Sequence, residues 1–155
     1  SDLQDVGGVR SGASLAVTRQ MLDVSQGAPA SLAARFAQSE AASLTVNGIE
    51  WNMAKLALAL GAGVVTTAGG TDTFRFGGDL AVSEVAVKFV HSLPSGLTLT
   101  VRLWRAAGNA DVNVTFGDDV HEIPYQFNAL QATKEWGGAT LGDKEKLVEI
   151  ELAGV

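Results

Sequence analysis

Hydrophobic and polar positions repeat with the period of an α-helix in one stretch of the chain, residues 47–61. Side chains three, four or seven positions apart share one face of a helix, so the apolar residues here form a stripe. This predicted helix core consists of Ile49, Met53, Leu56 and Leu60. Asn47 is the expected N-cap, with Glu50 reaching back to it, and Gly61 supplies the left-handed stop. The stripe needs a sheet to cover it.

Most of the remaining chain alternates apolar and polar residues with period two, which predicts half-buried β-strands. The clearest strand is 97–105, where Leu99 and Val101 face one way and Thr100 and Arg102 the other. The preceding run, 81–91, should form a hairpin with it. About seven strands are predicted: 13–19, 32–46, 81–91, 97–105, 112–116, 122–130 and 148–152. This turn spacing is typical of an antiparallel sandwich or barrel, here flanked by one helix.

Two of these strands carry specific expectations about burial. In 32–46 the even positions are mostly apolar and are expected on the core: Leu32, Ala34, Phe36, Leu44 and Val46. Gln38 and Glu40 break that pattern, which indicates a β-bulge or a strand leaving the core. In the last strand Val148, Ile150 and Leu152 are expected inside.

Polar, Gly-rich segments separate these elements. Residues 1–12 are expected to form an N-terminal arm, and 20–31 an exposed loop. Residues 61–78 also have loop composition, with one short apolar piece at 73–76. Both internal loops are long for a compact domain, and long loops are commonly functional or disordered.

Composition narrows the class of protein. The 155 residues are 46% hydrophobic, which fits one folded domain over 1–155. The absence of cysteine excludes disulfides and thiol catalysis. A net charge of −6 argues against binding nucleic acid through its phosphates, although DNA can still slide past such a surface. No apolar run approaches the ~18 residues of a membrane span.

Candidate catalytic and metal-binding groups are sparse. His121 stands near Asp118 and Asp119, but one histidine beside turn carboxylates rarely holds an ion, so a polar hairpin turn is the favoured interpretation. The glycines of Gly61-Ala62-Gly63 follow a helix, which is the wrong context for a dinucleotide loop. A nucleophile elbow and a phosphate loop are both absent. The sequence predicts no enzyme, no cofactor and no metal site.

A resemblance adds to this picture. The opening LQDVGGV at 3–9, followed by the strand 13–18, looks like the start of tail tube proteins of long-tailed bacteriophages. The module formed by the strand 43–46, the helix 50–60 and the glycines at 61–63 is similar to their strand and helix. The later order also matches, with a hairpin around 94–96, the strand 123–127 and a closing strand. Residues 64–79 and 137–144 match no part of that pattern.

The resemblance implies two packed antiparallel sheets flanked by a helix, a fold shared with the inner tube of contractile injection systems. It implies hexameric rings that stack into a tail tube, the conduit for genome ejection. Expected partners are other copies of the chain and other tail proteins. DNA would pass through the lumen without specific binding, and no membrane is involved. The expected location is the virion tail, assembled in the cytoplasm of the host bacterium.

For such a tube, outward polar positions on the strands would line the lumen. The candidates are Ser39, Ser43, Glu84, Lys88, Gln126 and Asn128. The two long loops would stack one ring on the next, and the candidate contacts are Asp23, Gln26, Pro29, Phe74 and Phe76. Alternatively, both phenylalanines simply close one end of the sandwich.

Two other classes of function are open at this point. In a carbohydrate-binding or adhesion β-sandwich, Trp104, Trp136 and Tyr125 would form a stacking platform. In a small barrel enzyme, His121 and Asp119 would be catalytic, which the sequence supports little.

Overall fold

The computed structural model describes residues 5, 7, 9–49, 52–78, 80–108, 112–113 and 122–154. In this part the predicted class is confirmed, because the protein is mainly antiparallel β with one helix. The elements are β1 (Val9–Gln26), β2 (Ser31–Gly48), α1 (Met53–Leu60), β3 (Val64–Ala68), β4 (Thr71–Arg75), β5 (Glu84–Ser92), β6 (Leu97–Gly108), β7 (Ile123–Ala129) and β8 (Glu149–Gly154).

Six strands form one curled sheet in the order β1-β2-β7-β6-β5, and β8 also pairs with β6. One edge of β6 is paired with β5. The other edge is shared by two strands: β7 pairs with residues 106–108 of β6, and β8 with residues 97–102. The segment 130–148 leaves the sheet between them. β3 and β4 form a separate two-stranded hairpin.

The main core lies on one face of the curled sheet. Leu44 and Val46 of β2 are buried opposite Phe127 and Tyr125 of β7. The remaining buried members of this cluster are Ala59, Leu103, Ala106 and Ile123. Alternation along the strands therefore places one apolar face inward, as the period-two pattern predicts.

The prediction for the helix N-terminus is wrong. Asn47 and Gly48 belong to β2 and pair with Pro124 and Ile123, so the chain is still extended there. The N-cap is Asn52, whose Oδ1 accepts a hydrogen bond from the Lys55 backbone N at 2.7 Å. Glu50, the other half of the predicted capping box, lies outside the described residues. At the other end, Gly61 is the left-handed C-cap, as predicted.

The predicted helix core also needs correction. Ile49 is exposed and precedes the helix, while Met53, Leu56 and Leu60 are only half-buried. The buried helical residues are Lys55 and Ala59.

Close packing of α1 on β6 explains why a small residue takes the buried position. A Cβ atom added at Gly108 would lie 2.9 Å from the Ala59 carbonyl oxygen and 3.0 Å from that of Leu58. A helix this close to a strand has room for Ala59 but not for a leucine stripe.

The exposed loop expected at 20–31 is instead the end of a long hairpin. β1 and β2 pair from Met21 opposite Ala37 to Gln26 opposite Ser31, and only residues 27–30 form the turn. We call residues 16–41 the arm, because every residue in it except the half-buried Ala34 is exposed. The strand expected at 13–19 is therefore 18 residues long. Since β1 begins at Val9, residues 9–12 also belong to a strand rather than to an N-terminal arm.

The expected bulge in 32–46 is present. Gln20 lies opposite Ser39 but Met21 lies opposite Ala37, so Gln38 is an extra residue in β2. It reverses the alternation beyond it, so Ala34 and Phe36 lie on the face opposite Leu44 and Val46. The expectation that all these even positions share the core face is therefore wrong.

Three other regions differ from expectation or lie outside the described part. Residues 61–78 contain the β3–β4 hairpin, closed by Gly69 and Gly70, both with positive φ. Of the strand expected at 112–116, residues 112–113 are not in a strand and the rest is not described. In β8, Ile150 and Leu152 are exposed rather than inside, because α1 packs on β3, β4, β6 and β7 and does not reach them.

Candidate assembly surfaces

All six residues predicted to line a lumen lie on one face of the six-stranded sheet, opposite the main core. Ser43, Asn128 and Glu84 belong to one row across β2, β7, β6 and β5, in which Ala107 supplies the β6 position. Gln126 lies opposite Thr45 and Lys88 opposite Arg102. Ser39 is on the same face, where its hydroxyl donates a 3.0 Å hydrogen bond to Gln20 Oε1. We call this surface the polar face.

Ion pairs neutralise the arginines of the polar face. Arg105 donates two hydrogen bonds to Glu84, at 2.6 Å from Nε and 2.5 Å from Nη2. Arg102 contacts both Glu149 and Glu151, the latter at 2.7 Å. The hydrogen bonds from Arg105 hold the pKa of Glu84 below its ordinary value, and Glu151, then Glu149, raise the pKa of Arg102.

The arm presents a continuous apolar block on its continuation of the polar face. Leu22 pairs across the strands with Phe36, and Val24 pairs with Ala34. Leu22 and Phe36 are 51% and 58% exposed. We call these four residues the apolar block. Three exposed apolar side chains beside the half-buried Ala34, on an element that packs on no other in the described part of the chain, are typical of an interaction surface.

The other face of the arm is held by charged pairs. Arg19 Nε lies 2.6 Å from Glu40 Oε1, and Arg35 makes hydrogen bonds of 2.6 and 2.9 Å to the two carboxylate oxygens of Asp23. These pairs join β1 to β2 across the ribbon. The hydrogen bond with Asp23 also raises the pKa of Arg35.

The predicted stacking residues fall on two hairpins. Asp23 lies on the arm in its pair with Arg35, Gln26 is the last residue of β1, and Pro29 is in the turn. Phe74 belongs to β4 and Phe76 follows it. The structure places Asp23, Gln26 and Pro29 in the outer part of the arm, and both phenylalanines at the end of the β3–β4 hairpin near Gly63.

Phe74 and Phe76 differ in their surroundings. Phe74 is half-buried over Gly63, where an added Cβ would come within 2.3 Å of its ring. Phe76 is exposed, and its ring stacks on that of Phe74 with centroids 6.5 Å apart. Phe74 therefore anchors the β3–β4 hairpin, and Phe76 is available for an interface.

Three strands of the six-stranded sheet have a partner on one side only among the described residues. β1 pairs only with β2, β5 only with β6, and the short β8 only with β6. Unpaired backbone N–H and C=O groups at such edges are templates for another strand. The strand order therefore ends in a free edge at β1 and another at β5, and β8 adds a shorter one.

The stacking platform that would serve carbohydrate binding is not formed. Tyr125 is fully buried in the main core, and Trp104 is buried in a second cluster with Trp136, Ala132 and Leu141. Trp104 and Trp136 meet edge to face at 5.4 Å, and the Trp136 Nε1 donates to the Trp104 backbone oxygen at 3.3 Å. These aromatic side chains hold the 130–148 segment on the sheet.

The catalytic pair considered for an enzyme, His121 and Asp119, lies outside the described residues, as does Asp118 of the possible metal site. Within the described part, no three histidine or acidic side chains are grouped so that they could hold a metal ion. That part also contains no helix long and apolar enough to cross a membrane.

The apolar block is the surface that sequence reasoning missed. Leu22 and Val24 alternate with Asp23 and Ser25, a period-two signal within the segment interpreted as a loop. No family model matches the chain, and no curated protein matches it. The geometry of these surfaces therefore carries the functional proposal.

Proposed function

We propose that this protein is a structural subunit that assembles with copies of itself into stacked rings, the tail tube of a long-tailed bacteriophage. The observation that carries the proposal is the arm. An isolated two-stranded ribbon is marginally stable in water, and this one also exposes Leu22, Val24 and Phe36. Such an element gains stability when a partner covers it, and in a homo-oligomer every subunit supplies both sides of that contact.

The free edges of β1 and β5 at the two ends of the strand order support a ring. If the outer edge of β1 in one subunit pairs with the outer edge of β5 in the next, the contact is head-to-tail and repeats around a closed circle. Each sheet then continues into its neighbour, which covers these two edges. The helix and main core lie on one side of the sheet, so the polar face can line the lumen.

The charges of the polar face suit the passage of DNA. Binding to duplex DNA depends on cations that replace the counterions of its phosphates. Arg102 and Arg105 already hold carboxylates, so a phosphate would have to displace Glu151 or Glu84 to reach them. DNA would pass this surface without being held.

Stacking of rings is assigned to the two hairpins. The end of the arm carries Gln26 and Pro29, and the β3–β4 hairpin carries the exposed Phe76. Replacing Phe76 with Ser should leave the subunit folded but shorten the tubes, whereas replacing Phe74, which packs over Gly63, should also loosen the hairpin.

Negative-stain microscopy of the purified protein tests the proposal. Rings with a central hole, or tubes built from them, are expected as protein concentration rises. Single particles of subunit size at every concentration would contradict it. A saturable response of tryptophan fluorescence to glycans, without assembly, would instead favour a carbohydrate-binding module.

A further inference from the structure

A groove opens where the arm leaves the sheet. Its lining is mixed, with polar side chains such as Thr18, Ser39 and Gln131. The apolar part comes from β1 and β2 and from the segment before β8: Val17, Ala37, Ala41, Ala42, Leu147 and Val148. The groove has a volume of about 670 Å³, which is within the range of ligand pockets. It lies beside residues 37–42 of β2, beyond the point where the pairing of β2 with β7 ends at Ser43.

The rim of the groove carries two ion pairs and one further lysine. Arg19 pairs with Glu40 on the arm side, and Lys146 Nζ lies 2.7 Å from Asp143 Oδ1 on the other side. The Lys146 ammonium lowers the pKa of Asp143. Lys144 adds one positive charge to the lining. Because four of the five charged side chains are already paired, the apolar part of the groove suits an uncharged occupant better than an ionic one.

The apolar block has the properties of such an occupant. Its four side chains carry no charge, and the two pairs Leu22–Phe36 and Val24–Ala34 project from the same face of a ribbon. The extra residue Gln38 sits between the foot of the arm and this block, and a bulge there increases the local twist of the ribbon. The block is thereby turned away from the core of its own subunit.

The arm cannot occupy the groove of its own subunit. The groove is lined by the residues from which the arm itself starts, which we call the foot of the arm: Val17, Arg19, Glu40 and Ala42. From there the ribbon remains paired as far as Gln26 and Ser31, a distance of roughly 30 Å at the usual rise per residue. A paired ribbon has no hinge through which to fold back onto its own foot, so the occupant comes from another molecule.

Charge favours a second copy of this chain as that molecule. The arm, residues 16–41, has no net charge. Its charged residues are two arginines and two carboxylates: Arg19, Arg35, Asp23 and Glu40. The whole chain carries −6, so copies of it repel one another overall. The neutral arm adds nothing to that repulsion when it approaches another copy.

We infer that the apolar block of one subunit docks into the groove at the foot of the arm of a second copy. Each subunit then gives one arm and accepts one, so the contact is head-to-tail and propagates from copy to copy. This inference rests on the self-assembly proposed above and names the surfaces that would carry it. It also accounts for the exposed apolar side chains, which would be covered only in the assembly.

Cross-linking between two singly substituted proteins tests the inference, because the native chain has no cysteine to interfere. One protein carries Val24→Cys in the apolar block. The other carries Lys144→Cys at the groove, together with a mass tag. The two are mixed under assembly conditions and treated with a short bismaleimide. Mixed dimers are necessarily intermolecular, and they are expected as the dominant cross-linked product.

The matched control replaces Val24→Cys with Ser25→Cys, the next residue, on the opposite face of the same arm. Mixed dimers with Lys144→Cys should then be lost. Circular dichroism of each variant checks folding, and all three positions are exposed, so the fold should be unaffected.

Four results would overturn the inference. Dimers of Val24→Cys with itself as the main product would mean that arms pack on arms. Equal yields of mixed dimer from Val24→Cys and Ser25→Cys would mean that contact is unspecific. Rings or tubes by microscopy without mixed dimers would refute the arm–groove contact while leaving the proposed function standing. A mixture that stays monomeric at every concentration would contradict both.

Discussion

The sheet part and the arm of the β1–β2 hairpin are made of the same two strands but are stabilised in different ways. In the sheet part, Leu44 is 1% exposed and packs opposite Phe127 of β7. In the arm, Phe36 belongs to the same strand and is 58% exposed, since no third strand in the described part of the chain continues beside it. The sheet part gains hydrophobic stability from the core, whereas the arm has only its cross-strand pairs. Apolar side chains in the arm therefore serve contacts beyond the subunit.

The largest expected effect is a difference in the free energy of unfolding between substitutions in these two parts. Leu44→Ala should lower the free energy of unfolding by about 2–5 kcal/mol, because it leaves a cavity in the core. Phe36→Ala should change it by less than about 0.5 kcal/mol, as is usual for exposed positions. Chemical denaturation of both variants measures the difference. Equal losses would show that the arm is packed within the subunit.

Removing the arm should leave the rest of the sheet folded. Gln20 lies directly opposite Ser39, so replacing residues 21–38 with Asn-Gly allows a tight two-residue turn. The shortened protein is expected to unfold cooperatively at nearly the native temperature and to remain monomeric. Calorimetry and light scattering report the two properties. Assembly of the shortened protein into normal tubes would show that the arm is not needed for assembly.

Removing carboxylates from the polar face should change how the subunit interacts with DNA. Glu149→Gln together with Glu151→Gln frees Arg102, so the subunit should gain binding to duplex DNA that weakens as salt rises. Fluorescence anisotropy with a labelled duplex measures it. Asp5→Asn with Glu135→Gln makes the same change in net charge away from the sheet and should produce no binding. Equal binding by the two double variants would indicate a general charge effect.

Acid should produce the smallest change. The pKa of Glu84 is lowered in the folded protein by Arg105, so its stabilising contribution is full above the ordinary carboxyl range of about 4. It is lost as pH falls through the lowered pKa, because the protonated acid no longer pairs with Arg105. The melting temperature should fall slightly below about pH 4, and less so in Glu84→Gln. An identical acid response in both proteins would assign the loss to other carboxylates.

Period-two alternation was sufficient to predict much of the sheet. It identified β5, β6 and β7 and assigned Ser43, Glu84 and Asn128 to the same polar face, because alternation alone decides which face a strand residue occupies. The bulge at Gln38 was also visible as a break in the pattern.

Other features depend on contacts between distant parts of the chain. The burial of Ala59 follows from the close approach of Gly108 on β6, which no pattern within the helix reports. The strand over residues 20–26 was missed because its polar residues and the adjoining Gly27 and Pro29 have loop composition. Its strand character comes from residue-by-residue pairing of β1 with β2.

The most direct test of assembly through the arm is sedimentation velocity of the native protein beside the double variant Leu22→Ser, Phe36→Ser. Both substituted positions are exposed, so circular dichroism should show the same fold for the two proteins. The native protein is expected to sediment as rings and longer species that grow with concentration, and the variant as a single subunit. Large species of the same size from both proteins, or subunits alone from the native protein, would contradict assembly through the arm.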